Sequence, residues 1–140
     1  MDCFSECTKL RKLYLENNRI NRLEGLQNCT SLEELYLGHQ NITVAAEFTF
    51  DEYSLAAISG SLMMLDLPEV KLVNCKPLYF LENITKLNLE NNIIEDFDDQ
   101  VSPILMTLQH LNTLNLKGNP VVRLTPKYRD QVVVLTRAQF

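Results

Sequence analysis

A leucine pattern that returns at nearly constant spacing constrains this chain more than any other feature. The pattern L-x-x-L-x-L-x-x-N-x-[IV] begins at Leu10 (Leu13, Leu15, Asn18, Ile20) and recurs 22 residues later from Leu32 (Leu35, Leu37, Gln40, Ile42). It returns from Leu62 (Leu65, Leu67, Val70, Leu72), from Ile84 (Leu87, Leu89, Asn92, Ile94) and from Leu111 (Leu114, Leu116, Asn119, Val121). In each L-x-L segment the two leucines share one side of a short strand and the residues around them point to the other, because strand side chains alternate faces. No single repeat can bury its leucines alone, so each depends on its neighbours for a core, and the stacked strands form a parallel sheet. The expected fold is α/β: one solenoid domain over residues 1–140, with short parallel strands on a concave face and helical or irregular segments on the convex face.

The remaining positions of the repeat predict the connections. The Asn after each strand sits where the chain turns away, and its amide can satisfy backbone groups of the turn and of adjacent repeats. Gln40 and Val70 replace it in the second and third repeats, and because Val70 cannot bond at all the ladder is expected to break in the middle. Two spacings exceed 22. From Leu32 to Leu62 is 30 residues, and the excess includes Asp51 as an N-cap, an apolar-periodic stretch to Ile58 and Gly60 beyond it, which reads as a convex helix. From Ile84 to Leu111 is 27, with Ser102-Pro103 opening a second helix through Leu108. Twenty-two residues before Leu26, Cys29 and Leu32 stand Phe4, Cys7 and Leu10, so the chain is expected to open inside a preceding repeat, with no N-terminal cap and an exposed first face. At the other end Thr125-Pro126 resembles an N-cap followed by proline at N1, and Tyr128, Val132 and Leu135 fall on one face of a C-terminal capping helix within 125–140.

Charge and composition exclude several functions. The 140 residues carry a net charge of −5 with no basic run, so nothing would neutralise a phosphate backbone and no nucleic-acid partner is expected. The first residues are polar and acidic where a secretory leader needs an apolar stretch, and no window approaches a membrane span, so a soluble, cytoplasmic chain without a membrane partner is expected. Cys29 and Cys75 fall at core positions of the repeat, Cys3 and Cys7 mirror Gly25 and Cys29, and all four cysteines read as free thiols in a reducing compartment. A chain this rich in Asn and Ser/Thr yields one or two N-x-[ST] triplets by chance, so the three present, from Asn28, Asn41 and Asn83, carry little weight. Glu95-Asp96-Phe97-Asp98-Asp99 has neither the spacing nor the glycine of a calcium loop and reads as a solvated acidic loop that could meet a basic partner. Lys76-Pro77-Leu78-Tyr79-Phe80 imitates a phosphatase-docking peptide, but Leu78 stands in the core column of Leu26, so the segment should be buried. Neither His39 nor His110 has a partner at ligand or triad spacing, and no nucleophile motif or phosphate loop is present. No enzyme, metal or cofactor is expected.

The 22-residue pattern resembles the intracellular leucine-rich repeat class found in phosphatase-1 regulators, dynein light chains and ciliary scaffolds. The runs Glu34-Leu35-Tyr36-Leu37-Gly38-His39-Gln40-Asn41-Ile42 and Gly118-Asn119-Pro120-Val121, with Pro126-Lys127-Tyr128-Arg129-Asp130, are more narrowly similar to phosphatase-1 regulatory leucine-rich repeat proteins. The resemblance covers the later repeats of that family, and implies a protein-binding scaffold or adaptor whose partner is the phosphatase-1 catalytic subunit or tubulin, at the cytoskeleton, centrosome or cilium. Two other readings are a permanent structural subunit of a ciliary or microtubule assembly, and an extracellular recognition protein, which would need cysteine caps and a leader.

The concave positions are those between and beside the strand leucines, and the candidate binding residues are Lys12, Tyr14, Glu16, Glu34, Tyr36, His39, Asp66, Lys86, Asn88, Glu90, Asn115 and Lys117. Tyr14 and Tyr36 share a column of adjacent repeats, one strand spacing of ~4.8 Å apart, and should form a contiguous aromatic patch. Tyrosine is favoured at interface hot spots because it buries area and keeps a hydroxyl for bonding.

Overall fold

The computed structural model describes residues 7–42 and 47–137. Five strands, β1 (Lys12–Tyr14), β3 (Glu34–Tyr36), β5 (Met64–Asp66), β6 (Lys86–Asn88) and β7 (Thr113–Asn115), pair in parallel in the order β1-β3-β5-β6-β7. The register aligns Leu13, Leu35, Leu65, Leu87 and Leu114 across the sheet. Each strand is only three residues long because the pleat is needed only to turn one leucine inward between two outward residues. Leu35, Leu65 and Leu87 are buried, as are Leu37, Leu67 and Leu89 one step further along. The core is a single cluster running from Leu13 to Val121, filled on the far side by Leu26, Cys29, Cys75, Leu78 and Ile104. Burial pushes the Cys75 thiol up to about 12, which suits its place as a small hydrophobe. Cys7 is also a free thiol, Cys29 is buried in the same core, and Cys3 lies outside the described residues.

Beyond each strand the chain must reverse, and the third residue past each strand does so in the left-handed region: Asn17, His39, Glu69, Asn91 and Gly118 have φ of 59°, 57°, 53°, 56° and 79°. Gly118 is required there, since a Cβ would run into the Asn91 side chain. The following asparagine then satisfies the turn. Asn92 Nδ2 donates to the carbonyls of Leu67 (2.7 Å) and Leu89 (3.0 Å), and its Oδ1 accepts from the N–H groups of Val70 and Leu72, both at 3.0 Å. Asn119 repeats this with Leu89 and Leu116 carbonyls and the Ile94 N–H. Val70 is fully buried and leaves the expected gap. Gln40 does not: its Nε2 donates to Leu15 and Leu37 carbonyls at 2.7 and 2.9 Å and its Oε1 accepts from the Ile20 N–H at 2.9 Å. The extra methylene lets the amide reach the same groups, so among the described repeats the ladder fails at Val70, as expected.

The far side carries helices and a second, two-stranded parallel sheet that pairs β2 (Arg22–Leu23) with β4 (Thr49–Phe50). Asp51 caps α1 (Glu52–Ile58) by accepting from the Ser54 N–H at 3.0 Å, and the buried Ser54 hydroxyl in turn accepts from the Leu26 N–H at 3.0 Å. Lys76–Phe80 forms a tight 3-10 turn that buries Leu78 but leaves Phe80 70% exposed, which corrects the expectation that the whole segment is buried. The acidic run is not an open loop. Asp96 caps a π-helical turn, Phe97–Val101, with Phe97 buried beneath it, and this turn continues into α2 (Ser102–Thr107). After β7 an additional short helix, α3 (Pro120–Leu124), starts with Pro120 in its first turn. The last helix, α4 (Tyr128–Arg137), begins later than the Thr125-Pro126 signal suggested, because Lys127 adopts φ 52° and Pro126 precedes the helix. Tyr128 meets Phe97 edge-on, 5.9 Å between ring centres, and α4 packs on α2. The side chain of Leu135, placed on the capping face from the sequence, lies outside the described ones. β7, like β1, is an edge strand with a partner on one side only among the described residues.

Candidate protein-binding face

The outward residues of the five strands fall into rows that run across the sheet. One row is Lys12, Glu34, Met64, Lys86 and Thr113, and the next is Tyr14, Tyr36, Asp66, Asn88 and Asn115. A third, two residues further on, is Glu16, Gly38, Pro68, Glu90 and Lys117, kept in step by backbone bonds from Asn17 to Gly38, His39 to Pro68, Glu69 to Glu90 and Asn91 to Lys117. Eleven of the twelve residues proposed from the sequence lie in these rows; His39 stands beside them in the column of left-handed turns.

The aromatic patch is a tight stack. The rings of Tyr14 and Tyr36 are 4.5 Å apart between centres and 3° from parallel, and Tyr14 is 59% exposed. Parallel in-register strands impose this geometry, since identical residues opposite each other take the same rotamer at one strand spacing. The Tyr36 hydroxyl donates to Glu34 Oε1 at 2.6 Å, and Met64 Sδ lies 3.3 Å from the same oxygen. That bond to Glu34, with partial burial, raises the Tyr36 phenol above its usual range. It also lowers the Glu34 carboxyl, helped by Lys12, whose Nζ is 3.3 Å away. Tyr36 is therefore fixed from below while Tyr14 is open to solvent.

Carboxylates and amides dominate the other half of the face. Asn88 Nδ2 donates to Asp66 Oδ1 at 2.8 Å, and Asn115 Nδ2 to Glu90 Oε2 at 3.5 Å. His39 Nδ1 lies 3.0 Å from Glu69 Oε2, and Asn91 Nδ2 donates to the other Glu69 oxygen at 3.4 Å. His39 thus has a partner that spacing along the chain did not reveal. Glu69 itself was missed, although the turn register that places Asn17, His39 and Asn91 also places it. Gly38 and Pro68 are buried against each other: a Cβ on Gly38 would meet the Pro68 ring at 2.6 Å. The face consequently has a low floor between Glu16 and Glu90, with Tyr36 and Asp66 on one side. Among the described residues no group of acidic, histidine or cysteine side chains is arranged to hold a metal ion, and no helix is long and apolar enough to cross a membrane.

Residues 8–46 match the family model described as Leucine Rich repeats (2 copies). The matched stretch contains the first two strands of the large sheet, and the parallel strands in register beyond it fit the same fold. Residues 8–46 are therefore similar to leucine-rich repeats, a repeat type that generally mediates protein–protein interaction and is typically non-enzymatic.

Proposed function

We propose that this chain is a non-enzymatic scaffold or adaptor that holds a partner protein on the outward face of the five-stranded sheet, the concave face of the repeat stack. The observation that carries the reading is the Tyr14–Tyr36 stack, two large aromatic side chains ordered against each other on an unpartnered sheet face. Ordered tyrosines offer contact area at low entropic cost, which is why they recur as interface anchors. Lys12, Glu16, Glu34, His39, Asp66, Lys86, Asn88, Glu90, Asn115 and Lys117 surround the anchor as a polar rim. The narrower reading rests on resemblance: the runs Glu34–Ile42 and Gly118–Val121 are similar to protein phosphatase 1 regulatory subunit 42, the testis leucine-rich repeat protein. By that likeness the partner is the phosphatase-1 catalytic subunit or tubulin, and the setting is the cytoplasm, at the cytoskeleton, centrosome or cilium.

Titrating wild type and the Tyr14→Ala/Tyr36→Ala variant against each of those two partners, with parallel thermal melts, tests the reading. The expected loss is more than ~1 kcal/mol of binding per tyrosine, while the convex change Glu52→Ala has little effect. If wild type binds either partner and the double variant binds it equally well, the tyrosine face is not the interface.

A further inference from the structure

The sheet face carries its charge unevenly, and the pattern selects a class of partner. In the row of Lys12, Glu34 and Lys86 the one carboxylate is neutralised and a lysine is left in excess: Lys12 pairs with Glu34 at 3.3 Å, and Lys86 also acts on Glu34. In the next two rows and the turn column the carboxylates are Glu16, Asp66, Glu69 and Glu90, against Lys117 alone among lysines and arginines. Among the described residues neither Asp66 nor Glu90 nor Glu16 forms an ion pair within 4 Å, and Glu69 meets only an imidazole. The groups that hold Asp66 and Glu90 are the neutral amides of Asn88 and Asn115, which fix the carboxylates in place without neutralising them.

An aromatic surface supports a ligand here independently of charge. Gly38 and Pro68 lie buried beneath this region, and the tyrosine stack, with Tyr14 open to solvent, stands beside it. Asp66 and Glu90 lie on adjacent strands and two residues apart, so their backbones are separated by roughly 8 Å, from one strand spacing and two residue rises. A planar guanidinium fits that gap and can donate to both carboxylates at once, and its face stacks on tyrosine; a lysine ammonium offers one point charge and no plane.

We propose that the face takes an arginine-bearing basic segment of a partner protein, with the guanidinium held between Asp66 and Glu90 beside the tyrosine stack. The inference rests on the sheet face being the interface, as proposed above, and adds the chemistry of what it receives.

The test uses fluorescein-labelled octapeptides of alternating arginine and serine, of lysine and serine, and of glutamate and serine, titrated by anisotropy at low and moderate salt. Wild type binds the arginine peptide most tightly, the lysine peptide less and the glutamate peptide not at all. Asp66→Asn/Glu90→Gln, which keeps shape and removes two charges, weakens arginine-peptide binding about tenfold or more with an unchanged melting temperature. Glu52→Gln/Glu82→Gln removes the same charge from the opposite side and has little effect. Absence of arginine-peptide binding, equal affinity in the Asp66/Glu90 variant, or equal weakening by the Glu52/Glu82 variant would each overturn the proposal. Failure of this inference remains distinct from failure of the interface itself: a protein partner sensitive to Tyr14→Ala/Tyr36→Ala but indifferent to Asp66→Asn/Glu90→Gln would keep the face and remove the basic segment.

Discussion

The turn that carries Asn92 and the turn that carries Val70 occupy the same place in successive repeats and solve the same problem by opposite means. Asn92 makes four side-chain bonds to buried backbone groups, two as donor and two as acceptor. Val70 has no polar atom to offer, yet its own N–H is satisfied, by Asn92 from the following repeat. The carbonyls explain why one gap is tolerated. Leu15 O receives two amides, from Asn18 and Gln40, and Leu89 O receives two, from Asn92 and Asn119. On either side of Val70 the load drops to one: Leu37 O receives Gln40 and Leu67 O receives Asn92. Lys71, next to the gap, sends its Nζ to the Ile42 carbonyl at 2.7 Å. The repeat therefore requires that each buried backbone group keep a partner, and an asparagine in every turn is one way to meet that requirement.

The comparison ranks the ladder residues. Asn92→Ala has the largest expected effect, because it strips Leu67 O of its only side-chain amide and orphans the N–H groups of Val70 and Leu72. With two buried donors lost at ~1–3 kcal/mol each, partly relieved by water, the expected destabilisation is about 3 kcal/mol. Gln40→Ala removes the only side-chain amide from Leu37 O and orphans the half-buried Ile20 N–H, for about 1–2 kcal/mol. Urea denaturation of the two variants with an unchanged slope checks the order. Equal midpoints would show that the gap at Val70 places no extra burden on Asn92, and the comparison would lose its force.

How much of this was legible before the structure depends on the reach of each signal. The strands and core follow from leucine spacing, since a period of two inside a repeat of 22 leaves few ways to bury Leu35, Leu37, Leu65 and Leu67 together. The tyrosine stack followed from the same register. The break at Val70 was legible from its apolar side chain, whereas the contacts that Gln40 keeps depend on side-chain reach, which residue type alone does not give. The β2–β4 pair could not be read, since two-residue strands separated by 27 positions leave no periodicity. Thr125-Pro126 looked like a helix start, but the backbone of Lys127 decides the boundary, and nothing local to lysine announces φ of 52°. Asn119-Pro120 carries the same cap-and-proline signal and does open a helix, so that signal marks a helix nearby more reliably than its first residue. On the open face the rows were legible and their pairing was not: His39 with Glu69 depends on a turn column that runs across 30 residues of sequence.

Gly38 gives a smaller and more local test of how closely the two repeats approach. Gly38→Ala places a methyl against the Pro68 ring, and that ring cannot swing away as a flexible side chain would. The expected cost is about 1–2 kcal/mol from overpacking, with the floor of the proposed binding region raised at the same time. Thermal melting together with arginine-peptide binding separates the two consequences. Loss of affinity beyond what Asp66→Asn alone produces would assign the floor a part in recognition, whereas unchanged affinity would confine Gly38 to packing.

The smallest expected effect lies at the start of the ladder, and it is the sharpest check on the carbonyl count. Asn18 donates to Leu15 O at 3.0 Å and to Glu16 O at 3.2 Å, but it is exposed, and Leu15 O also receives the Gln40 amide at 2.7 Å. No backbone N–H among the described residues depends on the Asn18 side chain. Asn18→Ala should therefore cost no more than about 0.5 kcal/mol, because water replaces the exposed bond and the part-buried acceptor keeps its other donor. Combining it with Gln40→Ala changes the situation, since Leu15 O then loses both amides. If backbone satisfaction governs the ladder, the double variant falls below the sum of the single effects by about 1 kcal/mol; strict additivity would mean that water reaches Leu15 O freely and that the first turn belongs to the surface and not to the ladder.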